Sequence, residues 1–218
     1  MKFNTKWTLG ALTVAALLAG CAAAPNVAEV KALTDKIVKA SFQSKGIAKV
    51  DRVLNIDETN LACAEADVAG KPLDEKTAKA IEEMNLKAVK WPSDGKFIGD
   101  WKKGEAVAQS GRGLTWSDNE KTVNGGNCYN CHQISKQEIS YGTIGPSLYN
   151  YGKLRGITDP NSAAAKPIVE YTWGKIWNSK AYNACSNMPR AGHAGILNES
   201  QVRDIMALLL DPKSPVNQ

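Results

Sequence analysis

The residues with the clearest chemical potential lie just past the middle of the chain. Cys128-Tyr129-Asn130-Cys131-His132 has the spacing C-x-x-C-H. Two thiols one turn apart can add to the two vinyl groups of a haem, and the adjacent histidine then falls under the iron as an axial ligand. Other uses of C-x-x-C need a context that is missing. A zinc site takes about four ligands, and only Cys63, Cys185 and His193 could supply the rest, none with a paired spacing. A thiol–disulfide redox motif would follow a strand in a βαβ unit, whereas this one follows the loop Asn124-Gly125-Gly126-Asn127. The motif predicts one covalently bound haem c, attached through Cys128 and Cys131, with His132 as proximal ligand.

One histidine fills one axial position. Met188, His193, Met206 and Met84 are the candidates for the other. Met206 falls on the apolar face of the last helical segment and Met84 within an earlier one, so both read as core. Met188 is followed by Pro189 in a loop between two helices, where a thioether can approach iron from the far side. A thioether ligand stabilises ferrous iron and raises the potential; His193 as ligand would give a lower one. Met188 is the expected distal ligand and His193 the alternative. Gly145-Pro146-Ser147-Leu148 lies 14 residues beyond His132. A metal-bound imidazole commonly donates its other N–H to a backbone carbonyl, although Gly-Pro also marks an ordinary turn.

The elements that must position these groups read as helices. Residues 99–218 hold a short helix at 101–109 and a helix from Pro167 to about Trp177. A last helix at 199–210 is capped by Asn198, with Gln201 completing a capping box and Leu197 and Val202 in the staple positions. Residues 111–125 form a long stretch before the motif, and their Trp116 is a candidate to cover a haem edge or meet a partner. The turn Trp91-Pro92-Ser93-Asp94-Gly95 marks a boundary. Before it, residues 21–98 form an extension rich in Lys, Glu and Ala. An amphipathic helix is expected there at 27–42, and a second after Asp74 with Ala78, Ile81 and Met84 on one face. No run of alternating strand residues occurs, so the expected fold is mostly α.

Residues 1–20 read as a lipoprotein signal peptide. Lys2 and Lys6 precede the apolar run Leu9–Leu18, and Leu18-Ala19-Gly20-Cys21 matches a lipobox, making Cys21 the expected lipidated residue. Ordinary cleavage in the following alanine run is the alternative, with Pro25 against it. Either cut places the mature chain outside the cytoplasm, in the periplasm of a Gram-negative bacterium on this reading. The 218 residues carry a net charge of +5, and loss of Lys2 and Lys6 leaves +3. That balance, with no basic run, argues against nucleic-acid binding. Only 2 histidines exclude a His-rich metal site.

Together the motif, the Gly-Pro loop, the Met-Pro loop and the terminal helix resemble a class I cytochrome c. The resemblance implies that His132 is the proximal ligand, that Pro146 holds its imidazole through the backbone carbonyl and that Met188 is the distal ligand. It also implies that the helix at 101–109 packs across the helix at 199–210. Longer strings resemble a narrower family, the SoxX cytochrome subunits of SoxAX sulfur-oxidation complexes. These are Gly99–Glu105, Gln109–Gly113, Gly126–His132, Gly142–Leu148, Tyr182–Arg190 and Leu208–Asn217, within roughly residues 60–217. This resemblance implies a SoxA-like catalytic cytochrome partner that couples thiosulfate to a cysteine of the carrier SoxY. It also implies a soluble cytochrome c as electron acceptor. The present chain would then relay electrons and hold no catalytic residue; a free-standing periplasmic monohaem cytochrome is the alternative. Cys63 and Cys185 remain. In an exported chain thiols tend to oxidise, and a Cys63–Cys185 disulfide is expected, two buried free thiols being the other possibility.

Overall fold

A computed structural model describes residues 26–218. The signal segment 1–20 and Cys21 lie outside the described residues. Among the described residues seven α-helices follow one another: α1 Val27–Ser41, α2 Asp51–Leu54, α3 Glu58–Val68, α4 Glu75–Lys87, α5 Trp101–Gln109, α6 Lys166–Trp177 and α7 Glu199–Leu210. Short 3₁₀ turns lie at Cys128–Asn130, Lys153–Arg155, Ser179–Ala181 and Pro215–Asn217. Among the described residues there is no strand, only one isolated bridge between Lys45 and Ala48. The fold is mostly helical, with long loops between α5, α6 and α7.

Local chemistry sets most of the helix starts. Asn26, Asp57, Asp74, Asp100 and Asn198 each accept a hydrogen bond from a backbone N–H of the following first turn. At α7 the box is reciprocal: Gln201 N–H donates to Asn198 Oδ1 at 2.9 Å, and Asn198 N–H to Gln201 Oε1 at 3.1 Å. Leu197 and Val202 are both buried beside it. α6 has no side-chain cap and instead begins with Pro167 in its first turn.

The core is built around α7, of whose 12 residues 9 are buried. α5 crosses it closely. Gly104 sits at the crossing, where a Cβ would collide with the Asp204 carbonyl oxygen. Only glycine allows the backbones to approach this far. The extended entry to α5 is pinned by Gly99 N–H donating to Arg203 O at 2.9 Å and Asp100 N–H to Asp204 Oδ1 at 2.8 Å. α6 closes the other side with Trp173 fully buried, stacked on Trp177 at 5.7 Å and met edge-on by Phe97 at 5.5 Å. Met206 is in the centre of this core.

The extension is joined to the core rather than trailing from it. Trp173 Nε1 donates to Lys90 O at 2.9 Å. Buried Asn85 of α4 donates to Thr59 Oγ1 at 3.2 Å, and Asn178 Nδ2 donates to Asn85 Oδ1 at 3.0 Å. This network turns Asn85 inward and corrects one expectation: Met84 points outward and is 45% exposed. A polar residue occupies the inner face because its partners Thr59 and Asn178 lie there to satisfy it.

Candidate functional site

The C-x-x-C-H segment sits at the C-terminal end of α5. Gly126 N–H donates to Val107 O at 2.8 Å and Asn127 N–H to Ser110 O at 2.9 Å, laying the segment against the helix. Asn127 adopts a left-handed conformation, φ 50°, which turns the chain into the 3₁₀ turn at Cys128. Asn is among the few residues that tolerate this. Tyr129, the first variable position of the motif, is buried. Its hydroxyl donates to Glu105 Oε1 of α5 at 2.9 Å and lies 2.9 Å from Ser135 Oγ. Burial pushes the Tyr129 phenol up to about 12, so it remains a donor at any physiological pH.

Residues 142–148 run alongside the motif. Gly142 N–H donates to Tyr129 O at 2.8 Å, Gly145 N–H to Cys131 O at 2.8 Å and Leu148 N–H to Gln133 O at 2.7 Å. Within this pairing His132 Nδ1 lies 2.7 Å from Pro146 O. A carbonyl oxygen can only accept, so Nδ1 carries the proton and Nε2 keeps its lone pair for a metal. Gly145 makes the arrangement possible: a Cβ there would collide with the imidazole ring.

Cys128 and Cys131 are both free and half-buried. Burial pushes the Cys128 thiol up to about 11. A disulfide exchanger needs a depressed thiol pKa, so the environment is wrong for that chemistry. Among the described residues no cluster of three or more His, Cys, Asp or Glu is arranged to hold a metal ion. The residues do fit a haem. Two thiols in one turn are unpaired, and the His132 imidazole is held by one nitrogen with the other free.

Met188 is half-buried against the core. Its loop is held from both sides. Ser179 Oγ donates to Met188 O at 2.5 Å, and Met188 N–H to Ser186 Oγ at 3.2 Å. Three residues earlier, Cys185 is joined to Cys63 of α3 with sulfurs 2.06 Å apart, closing a sequence separation of 122. Ala184 N–H donates to Glu82 Oε1 of α4 at 3.1 Å, and Lys180 Nζ donates to Ala184 O at 3.1 Å. Two residues after Met188, Arg190 pairs with Asp57, which also caps α3. Burial alone would raise the Asp57 carboxyl. The Asn60 N–H and Arg190 outweigh it and hold the group below its ordinary value.

His193 is placed differently. Its backbone N–H donates to Trp177 O at 2.9 Å. Its side chain borders a cavity of about 470 Å³ with Lys87, Lys90, Trp177 and Gly192, a lining that includes neither His132 nor Met188. Partial burial, and then the charge of Arg190, pull its imidazole below the ordinary value. Trp116 is 59% exposed and carries the Lys45 ammonium 3.8 Å over its ring, so it meets the extension. Glu105, Asp57, Glu82 and Arg190 escaped sequence reasoning. Their partners lie 24 to 133 residues away, and no local spacing signals such pairs.

A helical fold without strands among the described residues, an imidazole oriented by a backbone carbonyl and two free thiols one turn apart define a haem-carrying electron-transfer domain. Residues 110–212 match the model of the cytochrome c family, and the chain belongs to that family. It is similar to a protein of Aquifex aeolicus strain VF5 described as an uncharacterized lipoprotein. The two are 36% identical over 164 residues, which span 74% of this chain and 73% of the relative. A cytochrome c domain implies covalently bound haem c and electron transfer.

Proposed function

We propose that this chain relays electrons through a single haem c as the small subunit of a SoxAX-type complex. The observation that carries the haem reading is the His132–Pro146 contact, which commits Nδ1 and leaves Nε2 for iron. In this reading Cys128 and Cys131 hold the haem through thioethers, His132 is the proximal ligand and Met188 the distal one. When bound, haem carries one electron at a time by cycling its iron between ferric and ferrous. The protein's part is to fix both axial side chains: Pro146 orients the imidazole, and Ser179 with the Cys63–Cys185 bridge holds the Met188 loop. Small displacement of either ligand between oxidation states favours transfer, and a thioether suits an electron acceptor.

The narrower assignment rests on the strings outside the motif that resemble SoxX, chiefly Tyr182–Arg190 and Leu208–Asn217. A SoxA-like subunit would then carry the chemistry. A SoxY cysteine thiol and thiosulfate join through a new S–S bond, releasing one proton and two electrons. This chain would pass those electrons singly to a soluble cytochrome c. Residues 1–20 serve as leader, 21–98 as extension and 99–218 as the cytochrome domain. The lipobox, together with a relative described as a lipoprotein, supports anchoring through a lipid on Cys21 at a periplasmic membrane surface.

Purification from native membranes tests the assignment. A second haem-staining polypeptide should accompany the chain, and the pair should couple thiosulfate to a SoxY cysteine. Isolation of the chain alone, with normal axial ligation, would replace the complex by a free-standing monohaem carrier.

A further inference from the structure

Helix α1 is well formed yet sits lightly on the fold, touching α2 and α3 with Val27, Val30 and Val38 half-buried. None of its 15 residues is buried, and Leu33 and Ile37 are 59% and 52% exposed. Its internal supports are few. Asn26 and Glu29 form a capping box, and Lys31 pairs with Asp35 at 2.9 Å. A cap contributes about 1 kcal/mol and an exposed i,i+4 pair about 0.3–0.5 kcal/mol. An isolated helix of ~12–15 residues is marginal in water even with good formers, so these supports leave the apolar face in need of a cover. Val30, Leu33 and Ile37 share that face by helical spacing, Lys31 and Lys36 flank it, and Lys39 lies on the opposite side.

The position of α1 selects the cover. Asn26 is five residues beyond Cys21. Five residues reach at most ~18 Å when fully extended, so a lipid on Cys21 keeps the start of α1 close to the bilayer surface. The helix carries three lysines against Glu29 and Asp35, a net +1, and an anionic lipid surface does not repel it. Among the described residues no helix is long and apolar enough to cross a membrane, so α1 can lie on a bilayer but cannot span one.

We infer that α1 is a membrane-surface helix, lying in the headgroup zone with Leu33 and Ile37 toward the acyl chains, Lys39 toward water and the flanking Lys31 and Lys36 reaching the headgroups. The inference rests on the lipoprotein reading of Cys21. It makes the extension a second point of attachment, one that sets how the domain sits on the membrane.

The test uses the native lipidated holoprotein in vesicles of phosphatidylethanolamine and phosphatidylglycerol. Its amide exchange over residues 30–41 is compared with that of the haem-loaded mature chain without lipid. Exchange about tenfold slower on vesicles is expected. The double substitution Leu33→Asp with Ile37→Asp should abolish the difference and leave the visible haem spectrum unchanged. Equal exchange on and off vesicles overturns the inference. Slow exchange in the lipid-free chain that fades on dilution also overturns it, in favour of a second copy as the cover. The mass of the N-terminal peptide separates the two ideas. A diacylglyceryl Cys21 with fast-exchanging α1 removes only the surface helix, whereas an unmodified Cys21 removes the tether and both readings with it.

Discussion

His132 shows how much one hydrogen bond can decide. With Nδ1 at 2.7 Å from Pro146 O, that nitrogen is committed as a donor to the carbonyl, and Nε2 keeps its lone pair for a metal. Tyr129 does comparable work in holding the motif in place, because its hydroxyl donates to the partly buried Glu105. Replacing Tyr129 by Phe leaves Glu105 with the Gln109 amide as its remaining side-chain donor and should cost about 1.5–3 kcal/mol, the range for hydrogen bonds to charged groups. Denaturant unfolding of the holoprotein measures it; an unchanged midpoint would show that Glu105 finds another partner. Met188→Ala should leave the haem attached. It should lower the reduction potential by on the order of 0.1 V, a fraction of the ~0.8 V that axial ligands span. Potentiometric titration with pyridine haemochrome analysis checks both halves, and an unchanged potential would reject Met188 as ligand.

Among the elements, α7 and α3 contrast in how plainly their sequences announce them. α7 has a cap, a box, a staple and an apolar face, and each is present in the fold. Asn198→Ala should therefore lower stability by about 1 kcal/mol, read as a shift of the unfolding midpoint. The segment that forms α3, Glu58–Val68, buries Thr59 and Cys63 and half-buries Leu61, Ala62 and Ala66. Its apolar period is too weak to announce a helix. Asp57 as cap is the local signal that points to it. α4 is legible by period but not by orientation, because buried Asn85 takes a place that pattern reasoning gives to an apolar side chain. Likewise the His132–Pro146 relation is suggested by a spacing of 14, whereas Asp57 and Arg190 meet across 133 residues.

The Asp57–Arg190 pair joins α3 to the Met188 loop, and its contribution depends on pH. The folded carboxyl titrates below its ordinary value near 3.9. Its stabilisation is thus complete above about pH 4 and is lost as pH falls through the lower folded value. The stability gap between wild type and Asp57→Asn should be constant from pH 7 to 5 and shrink below about pH 4. Thermal melts across that range decide it. A gap independent of pH would mean that the charge of Asp57 is not what matters.

At the scale of the whole molecule, the extension and the cytochrome domain share one covalent cross-link. Closing a separation of 122 residues restricts the unfolded chain and contributes about 4–5 kcal/mol in the chain-entropy model. The Cys63→Ala, Cys185→Ala double variant should lose a stability of that order and loosen the Met188 loop. Denaturant unfolding gives the first, and the oxidised haem spectrum the second. Equal thiol titres before and after reduction, in denaturant, would show that the bridge does not form in the cell.

That bridge also encloses Cys128 and Cys131 in sequence, and this bears on how the protein matures. In a chain exported amino end first, Cys63 meets the two motif thiols before Cys185 has crossed. Oxidation in order of emergence would join Cys63 to Cys128 and consume a sulfur that the haem needs. Productive assembly then requires either that both motif sulfurs already be thioethers when Cys185 arrives, or that a reshuffling catalyst undo the premature bridge. The two cross-linking chemistries in this chain compete for the same atoms, and their timing separates a loaded cytochrome from a mispaired one.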